Sequence, residues 1–476
     1  MILLLSTLVP LIKDKLGDKC SSKNYRSIAI SSLILKIIDW IVILLFGVSL
    51  GLDDLQFGYQ AQCSTSMCSW MVLESVGYFL RNGSEIFTCF MDMTKAFDLV
   101  QHSKLFRKLI EGGLSLIFVR LLLVSYLLQY ANVRWNSELS SSFSMTNGVK
   151  QGAVLSAILY CFYVNGLFQL LRKRRSGCWI QGSYHGIFGY ADDNVLLAPS
   201  TTALQEMIDT CVEYCNEHNL KFSTHPDLKK SKTKCVAFLF KNRELPKLNL
   251  GDDKLPWVSN VKHLGNMIEN TINGQRKDMS IKRARYIDKN NELLQEFYFA
   301  HPDTLVKINV IYNSHFTGSV LWNLFCKEST MVENAWNVSI RKMFDIPRQT
   351  HRYLVQPLSE VPHIKTILIR RFLSFIRQLE NCPKNIVGSL LRLIKYDVNS
   401  TTGANLKQIS ILCNNKNIDD LEISDANLIV YHPIPENETW RVPILKDIIN
   451  SRHSQSLIEG FSVEDLDDIV EYACTS

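Results

Sequence analysis

Three carboxylates are the residues of this sequence best placed to do chemistry. Tyr190-Ala191-Asp192-Asp193 lies between the apolar runs Gly186-Ile187-Phe188-Gly189 and Val195-Leu196-Leu197-Ala198. That pattern reads as strand, turn and strand. Adjacent ionised carboxylates at an apolar hairpin repel each other, and a bound divalent cation removes that cost. Upstream, Ile86-Phe87-Thr88-Cys89-Phe90-Met91 reads as an uncharged, buried strand that ends at Asp92. Asp92, Asp192 and Asp193 would then sit at neighbouring strand ends. Hard oxygen ligands of this kind select Mg²⁺ or Mn²⁺ over Zn²⁺. Two such ions roughly 3.5–4 Å apart activate a hydroxyl and stabilise a departing pyrophosphate.

Between these points lies Gly148-Val149-Lys150-Gln151-Gly152-Ala153-Val154-Leu155-Ser156. Its paired glycines let a backbone approach a ligand closely, and Gln151 offers an amide to a base or sugar. Phe-Met-Asp-Met-Thr-Lys-Ala-Phe-Asp, this glycine-rich stretch and Tyr-Ala-Asp-Asp together resemble three successive motifs of reverse transcriptases. Their Lys-Ala-Phe-Asp and Tyr-Ala-Asp-Asp variants resemble those of non-LTR (LINE-type) retrotransposons. Val9-Pro10-Leu11-Ile12-Lys13, Asn24-Tyr25-Arg26-Ser27-Ile28 and Phe57-Gly58-Tyr59-Gln60 resemble the segments preceding the first catalytic strand. Lys232-Thr233-Lys234-Cys235 resembles the lysine-bearing motif after the hairpin, and Val261-Lys262-His263-Leu264-Gly265 resembles the primer grip. Order and spacing agree over residues 9–268.

The resemblance implies roles residue by residue. Asp92 and Asp192 would bind two Mg²⁺ ions, with Mn²⁺ as substitute, joined by the Met93 carbonyl and supported by Asp193. Phe97 would lie beneath the sugar and exclude a ribose 2′-hydroxyl, unless its ring is simply core. Gln151 and Gly152 would line the nucleotide pocket. Lys13 and Arg26 would reach the triphosphate, and Lys232 would protonate pyrophosphate. Gly265 would allow the turn that holds the primer end. The chain departs from the family at Ala157, where proline is usual, and at Gly166, where Asp is usual. Because it starts at the fingers, the chain as given would lack the amino-terminal endonuclease of most LINE proteins, unless a longer reading frame precedes Met1.

The elements that must position these residues imply an α+β fold, the right-hand polymerase of fingers, palm and thumb with a helical C-terminal extension. Residues 1–85 would form N-terminally truncated fingers, 86–270 the palm, 271–350 a helical thumb, and 351–476 a helical region with an acidic tail. Helices are expected at 95–110, 114–129 (buried), from 153 to the basic cluster, at about 202–218 and at 281–299. A hairpin is expected at 131–147 and a strand at 234–240. Residues 28–51 are apolar but contain Lys36 and Asp39, which fits buried finger elements better than a membrane span. Trp322, Trp336, Ile340, Met343 and Phe344 read as core. Asn399-Ser400-Thr401-Thr402-Gly403 reads as a linker.

At 46% hydrophobic and 21% charged residues, the 476-residue chain has an ordinary globular composition. A net charge of +6 does not name a partner, and each basic cluster taken singly reads as a solvated face; beside the motif set the reading changes. Arg172-Lys173-Arg174-Arg175, Lys229-Lys230 and Arg341-Lys342 with Arg348, His351 and Arg352 suit phosphates. The acidic stretch 451–476 should avoid them. The 13 cysteines include no Cys-x-x-Cys pair, which implies no structural zinc and a reducing, intracellular setting, cytoplasm or nucleus. The expected partners are an RNA template, a DNA primer and deoxynucleoside triphosphates, with no membrane. The expected function is RNA-directed DNA polymerase. The rival is a catalytically silent nucleic-acid-binding remnant.

Overall fold

The computed structural model describes residues 5–429, apart from 16, 47–49, 226, 272–274, 315, 349, 351–354, 356–358 and 360. His351, Arg352 and the acidic tail lie outside the described residues. The chain divides into two compact units. The first comprises residues 1–264, 270–272 and 382–390, and the second the remainder.

The first unit runs β1 (Leu5–Ile12), β2 (Tyr25–Ile30), α1 (Leu33–Phe46), α2 (Thr65–Arg81) and β3 (Ile86–Asp92). Then come α3 (His102–Glu111), α4 (Leu116–Leu127), β4 (Tyr130–Trp135), β5 (Glu138–Leu139), β6 (Phe143–Ser144) and α5 (Val154–Arg174). After these follow β7 (Trp179–Ile180), β8 (Ser183–Tyr184), β9 (Ile187–Tyr190), β10 (Asp193–Ala198), α6 (Thr201–His218) and β11 (Lys234–Phe238). The fold is α+β, as expected.

The sheet that carries the carboxylates has the order β11-β3-β10-β9, with antiparallel neighbours throughout. Every residue of β3 from Ile86 to Met91 is buried, which is why that strand carries no charge. Helix α6 packs on β3 and β10, and α2 packs on β3 and β9. Each begins where a serine hydroxyl satisfies an orphan amide. Ser64 accepts from Met67 N at 3.2 Å and Ser200 from Ala203 N at 3.1 Å. The α6 residues Leu204, Met207, Ile208, Cys211 and Cys215 are all buried at helical spacing. Among the described residues, α5 is long and apolar enough to cross a membrane, but it forms core: Tyr160, Tyr163 and Phe168 on it are fully buried.

The second sheet joins β1 and β2 to β4, which pairs in parallel with β1 and antiparallel with β5 and β6. The hairpin expected near 131–147 is therefore present, but it completes the sheet of the N-terminal strands. Three other expectations need correction. The helix expected from Lys95 starts at His102. Lys95 takes φ +48, and the carbonyls of Phe97 and Val100 accept from Val149 and Gly148 at 2.9 Å each. Helix α4 is only half-buried: Phe118, Val119, Leu122 and Tyr126 face inward, while Ile117 is 81% exposed. Helix α1 is likewise mostly exposed along Leu33, Ile37, Trp40 and Leu44, with Val42 buried. Its Asp39 carboxylate accepts from Leu155 N at 3.5 Å, at the start of α5.

In the second unit, α7 (Arg276–Glu296), α8 (Pro302–Ile308) and α9 (Lys327–Met343) pack around Leu293, Leu305, Val306 and Met343. Trp322, Trp336 and Ile340 are buried as expected, and Phe344 packs against the same cluster. Trp322 Nε1 donates to Asp278 at 2.8 Å, and Lys282 pairs with that carboxylate at 2.7 Å. The expected linker is instead a helix start. Ser400 is buried, and its hydroxyl accepts from Gly403 N at 2.8 Å to cap the helix Thr401–Leu412.

Candidate active site

The two apolar strands β9 and β10 are joined by the turn Ala191-Asp192. Ala191 takes φ +57, a conformation that costs a residue with a Cβ about 1–2 kcal/mol. Register then places the carboxylates. Asp193 is the Cα partner of Asp92, and also of Tyr190 on its other side. Directly opposed side chains share one face of a sheet, so Asp92 and Asp193 meet at the strand ends, with Asp192 on the turn beside them. Burial raises the carboxyl pKa of Asp192, and the charge of Asp92 raises it further. Burial also lifts Asp193, aided by Asp192 and Asp92, to about 7. The structure thus brings the three sequence-predicted carboxylates together. Lys232 Nζ pairs with Asp92 Oδ2 at 3.3 Å and partly offsets that repulsion.

These residues fit a divalent cation that takes other ligands as well. Among the described residues, no group of three or more His, Cys, Asp or Glu encloses a metal by itself. The aspartates instead form an open set of hard oxygen donors under like-charge stress. Mg²⁺ characteristically binds such sets, using one or two carboxylates and completing its octahedron with water and substrate phosphate. The Met93 carbonyl lies next to Asp92 in the chain. The local pairing of Met93 with Phe222 is made by Thr94 N to Lys221 O at 2.8 Å and Ser223 N to Asp92 O at 2.7 Å. Neither bond uses the Met93 oxygen.

Around the carboxylates stand cations from distant segments. The Lys13 ammonium is pushed down by burial and then by Lys232 and Arg26, with a smaller effect from Lys95 and an opposing one from Asp98. Arg26 and Lys232 also bear on Asp192. The sequence-derived trio Lys13, Arg26 and Lys232 is thus brought together. Lys95 joins it and was missed, because its segment read as an ordinary helix.

Phe97 is half-buried and stacks on the buried ring of Tyr160, with centroids 5.0 Å apart and planes at 19°. The stretch 148–152 is a strap between β2 and the turn segment that follows β3. Val149 N donates to Phe97 O at 2.9 Å, and Ala29 N of β2 donates to Gln151 O at 2.7 Å. Gly152 has φ +110, and a Cβ there would meet Ala29 O at 3.0 Å, so glycine is required. Gly265 and the preceding Leu264 both take positive φ, +86 and +46, as a tight turn needs. Gly265 belongs to the second unit.

The basic cluster at 172–175 does not behave as one surface. Arg172 pairs with the buried Asp53 at 2.6 Å, and Arg174 with Glu213 at 2.6 Å. Lys173 and Arg175 are exposed. Arg341 donates to Thr350 O at 2.6 Å.

Residues 13–268 match the family model described as "Reverse transcriptase (RNA-dependent DNA polymerase)", a little over half of the 476-residue chain. The chain belongs to the reverse transcriptase family. The matched span nearly coincides with residues 9–268, where the motifs run in order. Curated relatives that this chain resembles are proteins of retrotransposable and mobile elements. It is 24% identical over 245 residues to the retrovirus-related Pol polyprotein of the type-2 retrotransposable element R2DM of Drosophila melanogaster, covering 48% of this chain and 23% of that protein. It is 25% identical over 283 residues to the RNA-directed DNA polymerase from mobile element jockey of Drosophila funebris, covering 55% and 28%. The chain thus spans less than a third of the length of these curated relatives. It also resembles a solved telomerase of Candida tropicalis, in complex with a fragment of telomeric RNA, at 10% identity and a TM-score of 0.43. That match covers 96% of this chain and 64% of the telomerase.

Proposed function

We propose that this chain is an RNA-directed DNA polymerase that adds deoxynucleotides to the 3′-hydroxyl of a DNA primer on an RNA template. The observation that carries this reading is the register of Asp193 opposite Asp92, with Asp192 on the adjoining turn. Asp92, Asp192 and the Met93 carbonyl would hold two Mg²⁺ ions, and Asp193 would support them. Such ions supply an activated hydroxyl and charge neutralisation at the transferring phosphoryl group.

The chain's own residues do the rest. Arg26, Lys95 and Lys232 bear on Lys13, and a bound triphosphate relieves that like-charge stress. Phe97, held against Tyr160, forms a wall beneath the sugar. Gln151 and Gly152 line the pocket through their strap. Lys232 gives a proton to the leaving pyrophosphate. The turn at Leu264-Gly265 guides the primer end. In this reading β1, β2 and β4–β6 are the fingers, the β11-β3-β10-β9 sheet is the palm, and the second unit supplies the thumb and C-terminal extension. Cys68, Cys89, Cys211 and Cys235 are buried free thiols, and we place the chain inside the cell, in cytoplasm or nucleus.

Purified protein incubated with poly(rA)/oligo(dT), dTTP and Mg²⁺ should extend the primer. Asp192→Asn should lose several orders of magnitude in rate while template–primer affinity stays near normal, because the metals act on the transition state. Retained activity in Asp192→Asn would overturn the site. Binding without any incorporation by the wild type would leave the remnant reading.

A further inference from the structure

We propose that Gln56 is a positioning residue whose amide oxygen sets where Asp192 stands. This rests on the polymerase reading only in what the metal is for. Gln56 is fully buried. Its Oε1 accepts two backbone amides, Gly58 N and Ala191 N, each at 2.9 Å. Ala191 is the positive-φ residue immediately before Asp192. Its amide falls in the turn, outside the pairing of β9 with β10. The Gln56 side chain supplies the acceptor that the turn itself does not.

The other end of the same amide argues for a specific role. Gln56 Nε2 is buried with no hydrogen-bond partner. An unsatisfied buried donor is costly, and here the two backbone amides that the oxygen satisfies offset it. The residue is tolerated for its oxygen. The surroundings hold that oxygen still. Phe57 N donates to Gly189 O at 2.7 Å and Gly189 N to Leu55 O at 2.9 Å, so the segment lies along β9. Gln56 O accepts from Gln60 Nε2 at 2.6 Å. A Cβ on Gly58 would stand 2.5 Å from Ala191 N, so only glycine lets the segment lie flush against the turn. Behind it, Asp53 accepts from Gln56 N at 3.0 Å and is itself clamped by Arg172 at 2.6 Å. The chain of contacts runs from α5 through Asp53 and Gln56 to the turn. Its signal in the sequence was a lone glutamine inside the apolar stretch Leu55-Gln56-Phe57.

The test compares wild type with Gln56→Leu, which keeps volume and deletes the acceptor. Thr88→Val is the control: Thr88 is equally buried, and its Oγ1 donates to Val236 O at 2.9 Å, away from the turn. Mn²⁺ binding by electron paramagnetic resonance and hydrogen exchange at Ala191 N are read on each protein, without turnover. Gln56→Leu should weaken Mn²⁺ binding on the order of tenfold, as loss of an outer-shell support does. It should expose the Ala191 amide to exchange, while Thr88→Val leaves both near wild type. In primer extension, Gln56→Leu should raise the half-saturating Mg²⁺ concentration by a similar factor with unchanged template–primer affinity. Unchanged Mn²⁺ affinity in folded Gln56→Leu, or an equal loss in Thr88→Val, overturns the proposal. If Gln56→Leu does not fold, Gln56→Asn withdraws the oxygen by one methylene and is judged by the same criteria. If the wild type extends no primer, the polymerase reading fails, and Mn²⁺ binding and exchange still decide the role of Gln56.

Discussion

Asp193 stands directly across from Asp92 in the antiparallel register of β10 and β3. Like charges so placed oppose the sheet that holds them, and burial adds to the strain. The arrangement is at ease only with a proton or a cation in it.

Metal-free protein should therefore lose stability as pH rises. The Asp193 carboxyl lies at about 7, above the ordinary 3.8. A carboxyl raised in this way contributes stability that is fully present below its unfolded value and is lost as pH passes through the folded value. Thermal melts in chelator at about pH 5 and about pH 8 should show the lower Tm at the higher pH. The difference should be on the order of 2 kcal/mol, allowing for partial solvent access. Asp193→Asn should shrink that gap, and Mg²⁺ should restore the wild type at the higher pH. A Tm that climbs from the lower to the higher pH without metal contradicts the argument.

The stacked pair Phe97–Tyr160 predicts a sugar gate. Phe97→Ala should raise the ratio of kcat/KM for ribonucleotides over deoxynucleotides by about 10–100-fold. Equal loss for both nucleotides would make the ring a packing element only.

Lys232 should act through its proton as well as its charge. Lys232→Arg keeps a cation beside Asp92 but removes a group able to give up a proton. Nucleotide KM should stay close to wild type, while single-turnover incorporation slows by about 100-fold. A full-rate arginine variant would reduce Lys232 to an electrostatic role.

Arg172 should matter for stability and not for nucleic-acid binding. Arg172→Gln removes the ion pair from Asp53, whose side chain is 3% exposed. It should cost about 2 kcal/mol, less than a fully buried pair because the guanidinium is partly exposed. The slope of log affinity for template–primer against log salt should not change. A slope flatter by about one phosphate's worth would return Arg172 to the nucleic-acid path.

The sequence made the aspartate-bearing hairpin legible because both its strands are short, apolar and bounded by charge. Helix α6 was legible because its buried residues keep strict helical spacing. What escaped depended on partners far along the chain. Asp53 lies 119 residues from Arg172, so four consecutive basic residues read as one surface. Lys95 looked helical because nothing local reveals that Val149 takes the Phe97 carbonyl. Ser400 looked like linker chemistry, since a serine before Thr-Thr-Gly suits a loop and an N-cap alike. The exposed faces of α1 and α4 escaped because apolar composition shows what can be buried, and not which side is covered.

The strap at 148–152 is pinned at Phe97 and at Ala29, two residues apart along its own backbone. So short a span, at most about 3.5 Å per residue, cannot stretch to absorb relative movement of its anchors. A tilt of the β1–β2 sheet must be passed to the Phe97 carbonyl, and with it to the ring on Tyr160. In the proposed polymerase reading, closing on a nucleotide and testing its sugar would then be one mechanical event, so a substitution that slackens the strap should blur sugar choice even with the Phe97–Tyr160 stack intact.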